Sequence, residues 1–145
     1  MKRFMASGLG RVVLLNLYRG DKLLESIRDQ LKETGIKDAV ILCAIGSLNK
    51  ARIHRVNGTG EVASDEYLDF EEPLELASLQ GVVINGEPHF HMVISGLNAA
   101  CTGHLEEGTE VLYRTEIVLA ELNDINLKRM KDQFGNEIYS EVEKV

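Results

Sequence analysis

A chain of 145 residues, 44% hydrophobic and 27% charged, is long enough to bury one full core and has an ordinary globular balance, so it reads as a single domain over 1–145. Its net charge of −7 sets it against a nucleic-acid backbone and against anionic membrane surfaces, because Lys and Arg neutralising phosphates supply non-specific affinity. No run approaches the roughly 20 apolar residues of a membrane helix, and Arg11 and Asn16 interrupt the N-terminal apolar stretch that a signal peptide needs. Cys43 and Cys101, both in apolar runs, read as buried reduced thiols. The expectation is a cytoplasmic protein.

In chain order, Arg11 to Tyr18 is apolar and β-branched, a buried strand. Asp21 follows as a helix N-cap. Leu23, Leu24, Ile27 and Leu31 then make one apolar stripe, and Gly35 stands where a helix ends. Ala39 to Ile45 reads as a second strand ended by Gly46-Ser47, and Lys50 to Val56 alternates as a half-exposed strand before the hairpin signal Asn57-Gly58. Glu66 to Phe70, Leu74 to Ile84, a histidine-bearing hairpin and Val111 to Leu122 are strand-like, separated by Pro73, Asn85-Gly86 and Glu106-Glu107-Gly108. Leu127 to Phe134 reads as a short helix and Glu137 to Val142 as a last strand. About eight strands and one firm helix point to an α+β domain, a mainly antiparallel sheet with the helix packed on it.

The chemistry concentrates in that hairpin. The chain has four histidines, and three of them fall in Pro88-His89-Phe90-His91 and Gly103-His104-Leu105. Residues two apart on a strand share a face, so His89 and His91 point the same way, about 7 Å apart along the strand. A turn near Leu97 puts His91 opposite Gly103 or His104, within cross-strand reach. Three neutral imidazoles converging on one point suit zinc and leave a fourth position open; nickel and copper accept the same donors. Glu87, Glu106 and Glu107 lie near enough in sequence to orient imidazole N–H groups. Cys101, three residues before His104, falls on the opposite face. His54 lies in the alternating strand and is read as unconnected.

Other features carry less. Gly46-Ser47 is a tight turn, or a small anion pocket of backbone N–H groups. Lys128-Arg129-Met130-Lys131 is a solvated helix face or a phosphate-binding patch, without the interleaved aromatics that single-strand stacking uses. No P-loop and no Gly-x-Ser-x-Gly elbow occurs.

The blocks Gly46-Ser47-Leu48, Phe70-Glu71 with Leu74 to Gly81, Gly86 to His91, Gly103 to Gly108 and Glu116 to Leu122 resemble the PPC (plants and prokaryotes conserved) domain family, over about 11–122. That resemblance implies an antiparallel α+β fold, a homotrimer and, in prokaryotic members, a metal site at the positions of His89, His91 and His104. Plant members carry an Arg-Gly-Arg-Pro AT-hook; here Arg19-Gly20-Asp21 breaks that element, so the family's association with DNA rests on a part this segment lacks, and direct DNA binding by the isolated domain is not expected.

Three readings follow, the last of them direct DNA binding through the Lys128 to Lys131 region of a trimer, where three copies concentrate positive charge that one chain lacks. In the first, the chain is a trimeric binding and assembly module with a three-histidine zinc site, able to hold a small anionic ligand and serving a DNA-associated or regulatory partner. In the second, it is a zinc-dependent hydrolase or lyase acting on a small anionic or carbonyl substrate, with Glu106 as general base.

Overall fold

The structure, a computed structural model, describes residues 1–142. In chain order its elements are β1 (Gly8–Tyr18), α1 (Leu23–Thr34), β2 (Ala39–Val56), β3 (Asp65–Phe70), β4 (Leu74–Ile84), β5 (Glu87–Ser95), β6 (Ala100–Leu105), β7 (Glu110–Asn123), β8 (Leu127–Lys131) and β9 (Glu137–Glu141). This is the expected α+β architecture: one helix against a sheet in which every pairing is antiparallel. None of the described helical residues forms a helix long and apolar enough to cross a membrane.

The expected apolar stripe of α1 is buried, with Leu23 and Ile27 fully inaccessible and Leu24 and Leu31 nearly so. These side chains join one core with Leu15, Leu17, Ile41, Ala44, Phe90, Met92, Ile117 and Leu119 from the sheet. Gly35 adopts the left-handed conformation that closes the helix. Asp21 does not cap it. The N-cap is Lys22, without a side-chain hydrogen bond, and the Asp21 carboxylate accepts from the Tyr18 N–H to close the preceding turn. Leu23 instead donates its backbone N–H to the Thr109 carbonyl, tying the helix start to the approach of β7.

The expected break at Gly46-Ser47 is absent. β2 runs unbroken for 18 residues, bending through register shifts at Ile41/Cys43, Gly46/Leu48 and Leu48/Lys50 against β7. No turn forms there. The two residues instead line a cavity of about 920 Å³ with Leu74, Leu76 and Leu97. Gly46 is required by close approach: a Cβ would lie 2.4 Å from Thr115 Oγ1 and 2.5 Å from the Arg114 carbonyl oxygen.

Two further expectations fail. Leu127 to Phe134 is not a helix, since Leu127–Lys131 is β8, paired with β9. Its alternation of buried Leu127 with exposed Lys128 has a strand period. Asp132 Oδ1 accepts from the Phe134 and Asn136 N–H groups in the turn that joins the two strands. Cys43 is exposed rather than buried, because the neighbouring bulge turns it outward; Cys101 is half-buried against the core, and both are free.

The seven-stranded sheet runs β1-β7-β2-β4-β5-β6, with β3 on β2. The C-terminal part of β2 pairs with β6 as well, through Ile53↔Leu105 and His54↔His104. β2, β4, β5 and β6 thus close a circuit. One face covers the α1 core. On the other, Val12, Ala120, Val40, Val82 and His89 form a continuous cross-strand row. Val12 and Leu14 on that face are 61% and 72% exposed.

Replacing Gly46 by Ala is expected to lower the unfolding free energy by about 1–3 kcal/mol through overpacking against Thr115. The check is a lower urea midpoint at unchanged slope. Gly8→Ala, where an added Cβ meets nothing within 4 Å, is expected to leave the midpoint in place.

Candidate metal centre

The strand circuit determines which histidines meet. Gln80 of β4 pairs with His91 of β5, His91 with His104 of β6, His104 with His54 of β2, and His54 with Tyr67 of β3. Directly opposed residues on antiparallel strands share a face, so His91, His104 and His54 stand side by side, with His89 one pleat along from His91. All four histidines of the chain gather here. The expected opposition of His91 and His104 is present. His54, expected to be unconnected, is a neighbour of His104, their rings stacked at 4.5 Å between centroids.

Gly103 permits the closure. A Cβ there would lie 2.6 Å from the His54 carbonyl oxygen and 2.9 Å from Ile53 Cδ1. Backbone bonds then pin the turn that follows. Glu106 donates its N–H to the Arg52 carbonyl, and the fully buried Thr109 hydroxyl accepts from the Arg52 N–H and donates to the Glu106 carbonyl.

Side-chain geometry falls into two halves. In one, His89 Nε2 and His91 Nε2 are 3.3 Å apart. Two nitrogens each about 2.0–2.1 Å from a tetrahedral zinc stand roughly 3.3 Å apart, so the spacing of this pair matches such an ion, while the rings themselves are stacked, 18° from parallel. The His104 ring lies edge-on to both, at 4.9 and 5.6 Å between centroids. In the other half, Glu106 Oε1 lies 2.6 Å from His54 Nδ1 and 3.2 Å from His104 Nδ1. Among the described residues, His54, His104 and Glu106 form the set whose donor atoms all lie within 4.8 Å of one another. A carboxylate accepting from Nδ1–H leaves the Nε2 lone pair of His104 for a metal, as carboxylate–histidine pairs do in metal sites.

Of the three carboxylates near the ligands in sequence, only Glu106 touches an imidazole. Glu107 pairs with Arg28, and the Glu87 carboxylate lies 4.0 Å from the same guanidinium. Cys101 packs toward the core, on the face away from His104, as expected. Arg129 of β8, which sequence reasoning placed on a solvated helix, reaches over the site instead. Its Nη1 donates to His89 Nδ1 at 2.9 Å and to Glu137 Oε2 at 2.8 Å, and its Nη2 donates to the Glu87 carbonyl at 3.3 Å.

Comparison with known proteins bears on this geometry. The profile of the Plants and Prokaryotes Conserved (PCC) domain matches residues 5–123. The chain belongs to this family. A plant- and prokaryote-conserved protein of Pyrococcus horikoshii is 30% identical, with a TM-score of 0.81 over 99% of this chain and all of that one. A metal-containing protein of Archaeoglobus fulgidus is 29% identical, with a TM-score of 0.82 over 97% of this chain and all of that one. Among curated proteins, the bifunctional protein GlmU of a Synechococcus strain is 26% identical over 142 residues, but this chain spans only 22% of its length. His89, His91, His104, His54 and Glu106 all lie inside the family segment; Arg129 and the β8–β9 hairpin lie beyond it.

Burial pushes the three imidazoles of this PCC domain below the ordinary histidine range. At His89 the positive fields of His104, Arg129 and His91 add to burial while Glu137 opposes it. At His91 burial is joined by His54. At His104 burial and His54 outweigh Glu106. The neutral imidazole so favoured is the ligating form. The unfolded chain takes up these protons near pH 6.5, while the folded chain resists them. Stability of the metal-free protein is therefore full above about pH 6.5 and falls as the pH drops below it, levelling off once the folded imidazoles titrate. Urea midpoints of chelator-treated protein between pH 8 and pH 5 are expected to show that fall, and the His89/His91/His104 triple alanine variant to flatten it.

Proposed function

We propose that this chain is a metal-binding assembly module: a homotrimeric PCC domain that holds zinc through His89, His91 and His104. The observation that carries the reading is the cross-strand row from Val12 through Val40 and Val82 to His89. It puts the histidine cluster and the exposed apolar side chains Val12 and Leu14 on one sheet face. An apolar face of this kind is normally covered by a partner, and copies of the same chain cover it symmetrically in most oligomers. The trimeric number comes from the family resemblance.

Zinc is favoured over harder cations by three nitrogen donors without a carboxylate pair. The similar Archaeoglobus protein is described as metal-containing, which supports a metal here. Bound zinc would supply a Lewis-acidic centre with one open position, suited to a small anionic ligand. The chain's own residues then divide the work. His89, His91 and His104 ligate, Glu106 holds the His104 ring through Nδ1, and His54 shares that carboxylate and stacks on His104.

This division weighs against the hydrolase or lyase reading. A general base needs a free acceptor aimed at the proton it removes; Glu106 Oε1 is shared by two Nδ1 atoms, which leaves only Oε2 for that role. Direct DNA binding by the 128–131 cluster is weakened likewise, because the Arg129 side chain is only 15% exposed and turns toward His89 rather than outward. A DNA-associated or regulatory role would run through a partner protein.

Elemental analysis with light scattering tests the reading. Wild type is expected to carry about one zinc per chain at the mass of three chains; the His91→Ala variant should lose the metal, and His54→Ala should keep it. Stoichiometric zinc in His91→Ala, or zinc lost from His54→Ala and retained in His91→Ala, would move the site to His54, His104 and Glu106. A monomeric wild type would remove the assembly reading.

A further inference from the structure

Next to the histidines lies a cavity of about 430 Å³, walled by Phe4, Ile138 and Tyr139 and bordered by Lys2, His89 and Arg129. That volume suits a small organic molecule. The Phe4 and Tyr139 rings pack at 6.4 Å between centroids, and the Arg129 guanidinium lies over the Tyr139 ring at 5.7 Å. The pocket thus joins an apolar wall to a cationic floor. Glu137 also borders it, supplying the one carboxylate that Arg129 now holds.

Arg129 is poorly satisfied. Its side chain is only 15% exposed, yet its Nε is buried without a partner among the described residues. One of the two acceptors on Nη1 is His89 Nδ1. A guanidinium only donates, so in this contact Nδ1 accepts and the hydrogen of His89 sits on Nε2. Ligation through Nε2 requires the reverse arrangement. The hydrogen then sits on Nδ1 and faces Arg129 donor to donor. Loading the histidines therefore removes an acceptor from a guanidinium that already has an orphaned N–H, and buried unpaired donors are costly.

We propose that Arg129 and this cavity form a subsite for a small organic carboxylate with an apolar body, bound beside the metal-loaded histidines; this rests on the zinc reading above. The planar guanidinium fork matches a carboxylate, as the contact with Glu137 at 2.8 Å illustrates. Glu137 is half-exposed, at 51%, so its carboxylate can turn out into solvent and leave the guanidinium fork to an incoming carboxylate. Inorganic phosphate offers the charge without a body to fill the wall of Phe4, Ile138 and Tyr139.

Calorimetric titration of the zinc-loaded chain with benzoate, and separately with inorganic phosphate, tests the subsite. Benzoate is expected to bind about tenfold or more tightly than phosphate. Arg129→Gln is expected to weaken benzoate by about tenfold or more with zinc content unchanged, as loss of a charge-assisted bidentate contact implies. Glu137→Gln, which frees the guanidinium from its internal carboxylate, is expected to tighten benzoate several-fold, a gain that a misfolded variant does not give. Unchanged benzoate affinity in Arg129→Gln, no gain in Glu137→Gln, or phosphate binding as tightly as benzoate would overturn the subsite. A chain that takes up zinc but no benzoate removes this inference alone, whereas one that takes up no zinc removes the metal reading with it.

Discussion

The antiparallel contact between the end of β2 and β6 is the constraint on which the site depends. It consists of two residue pairs, Ile53↔Leu105 and His54↔His104. The first plugs two fully buried aliphatic side chains into the core. The second brings an imidazole from the middle of the chain against one from its later half. Gly103 makes the approach sterically possible, and Thr109 with the Arg52 backbone fixes the turn that presents Glu106. A polar cluster of four imidazoles and a carboxylate thus sits on a scaffold whose positions are set by core packing on the opposite face, which is how a site acquires preorganised ligands.

Two groups act on the histidines from opposite sides, with different chemistry. Glu106 accepts, so it favours the tautomer of His104 that presents Nε2 to a metal. Arg129 donates, so it favours the opposite tautomer of His89. The first lies inside residues 5–123, which the family profile matches, and the second in the β8–β9 hairpin that follows them. Burial lowers the pKa of all three imidazoles and so favours their neutral form, and Val12 and Leu14, exposed on the same sheet face, are the apolar side chains that the proposed assembly would cover.

What was legible in the sequence was local. The stripe of α1 shows because its period is 3.6. The opposition of His91 and His104 shows because a short hairpin with its turn near Leu97 leaves little freedom of register. The continuity of β2 was hidden because Gly46-Ser47 carries a turn composition, while the actual demand on Gly46 comes from Thr115 and Arg114 in β7, far along the chain. His54 was hidden for a related reason. Its strand alternates as expected, but its partner across the sheet is set by the closure of β2 onto β6, which no local period encodes. The hairpin of β8 and β9 was misread because Leu127 to Phe134 mixes charged and apolar residues in a way that fits either period over so short a run; the decisive signal was the turn chemistry of Asp132 and Gly135.

The most direct test of the central claim is extended X-ray absorption at the zinc edge of the metal-loaded protein. The account predicts a first shell of nitrogen and oxygen scatterers at about 2.0–2.1 Å, with multiple scattering from three imidazoles that drops in His89→Ala and is unaffected by His54→Ala. A shell with sulfur, or an imidazole signal that drops in His54→Ala and survives in His89→Ala, would contradict it.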